Sequence, residues 1–281
     1  MDFASIVEQL AGGAQVLHAA ALTGGVSAEV HEVVFRTPDG AEDRVVIRRH
    51  RNMEGKPERG DRAAREHALL GVLHARGLPV PRSRLFVPPD TLVLDMMEGS
   101  SALPDDPAPL LAATLAAIHA IAGPEGLPAL PRLDDPLPAL LDWRPDLFNH
   151  DDVRKRFACY SGEPRLLHGD YWPGNVLWQD GRLVAVLDWE DAGLGDPLAD
   201  VACARVELCC MRDAQTAAQF TAAYGACAPL DMARLVGWDL FVSTAALQYM
   251  DSWGLAADVL AVRRATTTAW QAQALQALGI S

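Results

Sequence analysis

The residues best suited to chemistry lie in two stretches of a 281-residue chain. One is His168-Gly169-Asp170-Tyr171-Trp172-Pro173-Gly174-Asn175, and the other, Val186-Leu187-Asp188-Trp189-Glu190, places Asp188 thirteen residues after Asn175. Together they supply a carboxylate in a loop containing Gly and Pro, a carboxamide five residues on, and a second carboxylate at the end of an apolar strand. A carboxylate can take or orient the proton of a hydroxyl nucleophile. A carboxamide and another carboxylate offer oxygen ligands for Mg²⁺ on a triphosphate, and phosphoryl transfer requires that set. A lone His-Gly-Asp reads as an ordinary turn after the strand Leu166-Leu167. The added Asn175 and the later Leu-Asp-Trp-Glu favour the chemical reading.

Elements that could hold such a set follow from the spacing. Residues 14–22, 29–37 and 44–49 read as an antiparallel meander, with turns at Thr23-Gly24-Gly25 and Pro38-Asp39-Gly40 and β-branched Val45-Val46-Ile47 in the third strand. Alternation puts Val46 and Arg48 on one face of that strand and Val45 and Ile47 on the other. A helix is predicted over 58–76, stopped by Gly77, Pro79 and Pro81. A hairpin follows over 84–87 and 91–95, and the composition shifts at Met96-Met97-Glu98-Gly99. Leu111, Leu115, Ile118 and Ile121 mark an amphipathic helix, and the proline-rich 124–145 reads as an irregular excursion. Short strands at 176–178 and 183–189 carry Asp188, and the chain after Asp196 reads as helical. The expectation is an α/β (α+β) fold of two lobes, a small antiparallel β lobe over 1–95 and a larger helical lobe over 96–281.

Composition removes several alternatives. Of 24 basic residues only Lys56 and Lys155 are lysines, and neither stands in a Walker A sequence, so a P-loop is excluded. A net charge of −13 argues against a nucleic-acid partner. The longest weakly polar stretch, 110–122, is too short to cross a bilayer, and with Asp2 and Glu8 and no basic n-region at the N-terminus, no secretory signal is expected. Five cysteines without a C-x-x-C pair read as reduced thiols of a cytoplasmic protein, with no disulfide framework. Residues 101–281 hold 23 acids against 12 bases, and all seven tryptophans lie there.

On the motif H-G-D-x-x-x-x-N with its delayed L-D-W-E, the chain resembles the aminoglycoside phosphotransferase family, protein-kinase-like small-molecule kinases that include choline and homoserine kinases. The likeness runs over about residues 15–205, and the Asp–Asn spacing is also that of protein kinases. The resemblance implies a bilobal protein-kinase-like fold with ATP (or GTP) and Mg²⁺ as cofactors. Asp170 matches the catalytic aspartate, His168 the histidine supporting its loop, and Asn175 and Asp188 the magnesium ligands. Asp200, in Asp196-Pro197-Leu198-Ala199-Asp200, is expected to brace the catalytic loop. Gly24, Gly25 and Ser27 fall where kinases place a loop over the phosphates, although G-x-G-x-x-G is absent and Ala28 stands where the family often has asparagine. Arg48 takes the slot of the kinase lysine, where a guanidinium can hold two phosphate oxygens at once, and Glu66 matches its partner. Asp95 and Met97 match the hinge whose backbone meets the purine.

The acceptor is expected in the second lobe, with Trp189, Glu190, Asp191, Glu207, Trp238, Asp239, Tyr249, Asp251 and Trp253 as candidate lining. An acidic, aromatic-rich lobe would favour a cation such as an aminoglycoside or amino alcohol. Neutral or acyl-thioester acceptors, and a nucleotide-binding module without turnover, are the alternatives. The partner is thus a small-molecule hydroxyl, with neither nucleic acid nor membrane, for a monomer or homodimer.

Overall fold

The computed structural model describes residues 1–22, 27–52, 58–123, 125–144, 155–157 and 160–280. The chain opens with helix α1 (Phe3–Leu10), whose first turn is capped by Asp2 accepting from the Ser5 amide at 3.1 Å. Five strands follow: β1 (Gln15–Ala21), β2 (Ala28–Arg36), β3 (Glu42–His50), β4 (Ser83–Val87) and β5 (Thr91–Asp95), with helix α2 (Arg59–Ala75) between β3 and β4. They form one antiparallel sheet in the order β1-β2-β3-β5-β4, which places β3 centrally, between β2 and β5.

The alternation on β3 divides the packing as expected. Val45 and Ile47 are fully buried with Ile6 and Val7 of α1, Val33, Phe35 and Val93. Val46 packs on the other face, in the core to which α2 contributes Leu69, Leu70 and Leu73. Arg48 and His50 share the face of Val46 by the period-2 rule, so β3 turns two basic side chains towards α2. Helix α1 is an addition to the expected elements, and no element was assigned there from sequence. Phe3, Ile6, Val7 and Leu10 carry the i, i+3, i+4, i+7 pattern, but over only eight residues.

Beyond Asp95 the chain is mainly helical: α3 (Ala108–His119), α4 (Leu137–Trp143), α5 (Leu198–Met211), α6 (Ala214–Cys227), α7 (Met232–Tyr249) and α8 (Ala257–Leu278). Asp213 and Asp231 cap α6 and α7 by accepting from amides of their first turns. Short strands interrupt the helices: β6 (Arg132–Leu133), β7 (Arg165–Leu167), β8 (Val176–Gln179), β9 (Arg182–Val186) and β10 (Gly193–Gly195). Here the structure corrects two expectations. The 124–145 excursion contains β6 and α4, and β10 pairs with both β6 and β7. Strands of two or three residues are too short to leave a period in the sequence. The strand expected over 183–189 ends at Val186, because the chain turns at Asp188 with φ +64°. Helices α3 and α5–α7, the β8–β9 hairpin and α2 share one core that includes Leu115, Leu166, Val186, Trp189, Leu198 and Trp238.

Candidate active site

Strand β7 delivers His168 and Asp170, and three helices fix the loop they occupy. Asp200, fully buried in the first turn of α5, accepts from the His168 amide at 2.7 Å and the Gly169 amide at 2.9 Å. His119 of α3 lies 3.2 Å from the same carboxylate through Nε2, and its Nδ1 is 2.8 Å from the Tyr224 hydroxyl of α6. Asp200 therefore braces the loop as the sequence suggested. His119 belongs to the same chain of polar contacts. Gly169 has φ +84°, and a Cβ on it would collide with the carbonyl of Asp191. Only glycine lets the loop pass that close to the turn at Asp191.

The His168 ring faces inward. Its Nδ1 accepts the Asp170 amide at 3.3 Å, so Nε2 carries the proton and donates to the Leu187 carbonyl at 2.8 Å. Trp189 packs against the ring with centroids 4.6 Å apart. Both nitrogens are engaged within the protein, and their effect is to tie the Asp170 loop to the segment that carries Asp188. Asp170 itself is half-buried. The Asn175 amide nitrogen donates to its backbone oxygen at 3.0 Å and lies 3.2 Å from its Oδ2, while the Cys203 thiol of α5 is 3.9 Å from Oδ1. Burial among Asp170, Glu207 and Asp200 pushes the Cys203 thiol well up, so it stays protonated.

Hairpin β8–β9 sets the other two oxygen donors side by side. Val176 pairs with Val186, and the Leu187 amide donates to the Asn175 carbonyl at 2.8 Å, so Asn175 and Asp188 flank its open end. The Asp188 side chain keeps 34% exposure. Two hard oxygen donors with one side open suit Mg²⁺, which binds through one or two protein oxygens plus phosphates and water. No cluster of three or more His, Cys, Asp or Glu at metal spacing occurs among the described residues, and a phosphate-bound magnesium needs none.

Arg48 is only 6% exposed, which excludes a surface role. Its Nη1 donates to Glu66 Oε1 at 2.8 Å, and its Nη2 to Asp188 Oδ1 at 2.5 Å with Glu190 Oε2 at 3.3 Å. Sequence reasoning paired Arg48 with Glu66, and the structure brings those two together. It also brings in three residues that reasoning assigned elsewhere or missed. Glu190, considered for the acceptor side, lies instead in this cluster, 2.9 Å from Arg62 Nη1 and 3.1 Å from His50 Nδ1. His50 Nε2 is 2.8 Å from Glu66 Oε2. The period-2 face of β3 was the available signal for His50, while Arg62 lies one helical turn before Glu66 on α2.

These contacts set the charge states. Burial alone would raise Glu190, but the facing His50 ring, the charges of Arg48 and Arg62 and the neighbouring Ser27 hydroxyl outweigh it and pull its carboxyl down to about 2. Glu66 goes down for the same reason, burial being overcome by Arg48 and His50. Asp188 goes the other way: burial and the neighbouring Glu66 and Glu190 raise its carboxyl despite Arg48. A second cation at Asp188 would relieve that repulsion. Ser27 is thus placed at Glu190, whereas Gly24 and Gly25 lie outside the described residues. Asp95 ends β5 opposite Val45, its amide donating to the Arg82 carbonyl at 2.9 Å, and Met97 follows half-buried where the chain leaves the sheet.

Most candidate acceptor residues turn out to be engaged with neighbours. Trp189 is buried core. Trp238 donates through Nε1 to Asp196 at 2.7 Å. Glu207 pairs with Arg263, which stacks over Trp253; Asp239 pairs with Arg205 at 2.8 Å; and Asp251 pairs with Arg264 at 2.5 Å. Tyr249 remains about half-exposed, and Asp191 gives its carbonyl to the close approach of Gly169. The acidic excess of this region is therefore partly cancelled, pair by pair, by arginines.

A family model for the phosphotransferase enzyme family matches residues 20–238. The chain belongs to that family. Solved structures with the same fold include the choline kinase of Streptococcus pneumoniae, at 15% identity over 97% of this chain and 100% of that one (TM-score 0.62). A thermostable mutant of an aminoglycoside phosphotransferase, in ternary complex with ADP and hygromycin B, matches at 19% identity over 95% and 97% of the two chains (TM-score 0.62). The GDP and kanamycin complex of an APH(2″) enzyme matches at 18% identity over 96% and 98% (TM-score 0.63). A search of curated proteins found no match. The chain is accordingly a member of the phosphotransferase enzyme family with a protein-kinase-like fold. No helix among the described residues is long and apolar enough to cross a membrane.

Proposed function

We propose that this phosphotransferase moves the γ-phosphoryl group of ATP to a hydroxyl of a small molecule, with residues 1–95 binding the nucleotide and 96–281 supplying the catalytic loop and the acceptor site. The observation that carries the reading is the meeting of three groups. Asp170 stands on a loop held by Asp200, Asn175 and Asp188 sit at the open end of one hairpin, and Arg48 reaches Asp188 from the sheet. Asp170 accepts or orients the proton of the acceptor hydroxyl as its oxygen attacks the γ-phosphorus and the bond to the β-phosphate oxygen breaks. Asn175 and Asp188 would hold Mg²⁺, which when bound would neutralise charge on the triphosphate. Arg48, steadied by Glu66, leaves Asp188 to take phosphate oxygens, and the backbone at Asp95 and Met97 meets the purine. Positioning and charge neutralisation supply most of the rate.

A module that binds nucleotide without turnover has no use for a half-buried carboxylate held in this way, which favours the enzyme. The relatives bound to ADP and to GDP make either purine admissible, and the arginine pairing of Glu207, Asp239 and Asp251 keeps neutral and acyl-thioester acceptors beside cationic ones. The test is a mass-spectrometric screen of hydroxyl compounds of all these classes with Mg·ATP and with Mg·GTP, using Asp170→Asn as the blank. An acceptor that gains one phosphoryl group only with the wild-type protein supports the reading. Nucleotide binding with no product and no Asp170-dependent hydrolysis favours the binding module.

A further inference from the structure

Behind Arg48 lies a residue that the phosphotransfer scheme does not use. His50, the last residue of β3, is fully buried, with its ring between two carboxylates: Nε2 is 2.8 Å from Glu66 Oε2 and Nδ1 is 3.1 Å from Glu190 Oε2. Those carboxylates come from different parts of the chain. Glu66 lies on α2, while Glu190 lies two residues beyond Asp188. Each also faces Arg48, at 2.8 and 3.3 Å, and Glu190 faces Arg62, itself fully buried, at 2.9 Å. The Trp189 amide donates to Glu66 Oε1 at 3.2 Å, and the His50 amide to the Asp90 carbonyl at 3.0 Å.

We propose that His50 is a positioning residue for nucleotide binding: as an imidazolium it clamps Glu66 to Glu190 and so holds Arg48 and the Asp188 segment in register for the triphosphate. Charge balance is the physical reason. The cluster contains the carboxylates Glu66, Asp188 and Glu190 and the guanidinium groups of Arg48 and Arg62, so a charged His50 makes it neutral. A neutral ring leaves two buried carboxylates facing one another with no positive charge between them, and a buried carboxylate without its counter-charge is costly. Consistent with this, the ring goes up from its ordinary pKa: burial opposes the charge, but Glu190 and Glu66 more than overcome it, against some repulsion from Arg48. With the clamp lost, Glu66 and Glu190 would compete for Arg48 and draw it away from the phosphates.

The inference rests on the phosphotransferase reading, and the two fail separately. Calorimetry of wild-type protein with Mg·ATP tests the reading: without binding, nucleotide use itself is wrong. Given binding, His50→Gln is expected to weaken Mg·ATP affinity about tenfold or more, the scale on which removing a partner that orients a binding side chain acts at metal sites. His50→Gln/Glu190→Gln, which removes one negative charge along with the positive one, is expected to recover most of that loss. A merely structural role predicts no such rescue, because the second change would only add to the damage. A folded His50→Gln protein with wild-type affinity, or a double variant weaker than the single, overturns the proposal. If His50→Gln does not fold, the ¹⁵N shifts of the His50 ring in wild-type protein at pH 7.5 decide. Imidazolium shifts support the clamp, and those of a neutral tautomer overturn it.

Discussion

Asp200→Asn isolates the brace beneath the catalytic loop. The carboxylate accepts two backbone amides, His168 at 2.7 Å and Gly169 at 2.9 Å, and meets His119 Nε2 at 3.2 Å, all of it out of water. Asparagine keeps the shape but offers one acceptor oxygen and an NH₂ group, so one of the two amides would face a donor. Leaving one buried donor unsatisfied costs about 1–3 kcal/mol, and replacing a charged acceptor by a neutral one at the other amide adds about 1 kcal/mol. The stability loss should therefore be about 2–4 kcal/mol, read as a lower urea midpoint at unchanged slope. Because Asp170 follows Gly169 directly, the loop should also lose register. If half of that energy falls on the transition state, turnover drops by about five- to thirtyfold. Asp200→Asn within about 0.5 kcal/mol of wild type, an ordinary value for a surface substitution, and with unchanged turnover would refute the brace.

Two further outcomes follow from the ion pairs. Arg48→Lys retains one charge but cannot hold Glu66 and Asp188 together. Mg·ATP affinity should fall about tenfold as the bidentate hold is lost, whereas equal calorimetric affinities would place Arg48 outside phosphate binding. Asp239 is pushed up to about 7 by burial, only partly offset by Arg205. Between the ordinary value of 3.8 and about 7 the folded protein holds a proton that the unfolded chain has released, so this group's contribution to stability declines as pH rises through that window. Asp239→Asn should remove the decline, changing its stability relative to wild type by something on the order of 4 kcal/mol in the variant's favour between pH 4 and pH 8. Urea titrations across that range check it, and a pH-independent difference would contradict it.

The sheet, α2 and the β8–β9 hairpin were legible because strand alternation, Gly/Pro punctuation and helical spacing are local signals. The Arg48–Glu66 pair was legible for another reason: its two members occupy slots that the family resemblance pairs. Glu190, His50 and Arg62 were not, since their meeting depends on β3, α2 and the segment after β9 converging, and no local pattern records that. Glu190 looked like part of an acidic surface until the structure surrounded it with Arg48, Arg62 and His50. The same holds on the acceptor side, where counting carboxylates overstated the available negative charge because Arg205, Arg263 and Arg264 come from elsewhere to meet Asp239, Glu207 and Asp251. Helix α1 and the short strands β6 and β10 escaped because pairing partners, rather than periodicity, define them.

The central claim is that Asp170 handles the proton of the acceptor hydroxyl while other residues hold Mg·ATP. It is tested most directly by comparing Asp170→Asn with wild type in two readouts on the same protein, phosphoryl transfer rate and Mg·ATP dissociation constant. The account predicts a loss of about 10²–10⁴-fold in rate, the contribution of a general base, with nucleotide affinity essentially unchanged. An Asp170→Asn protein that transfers phosphate at the wild-type rate would contradict it.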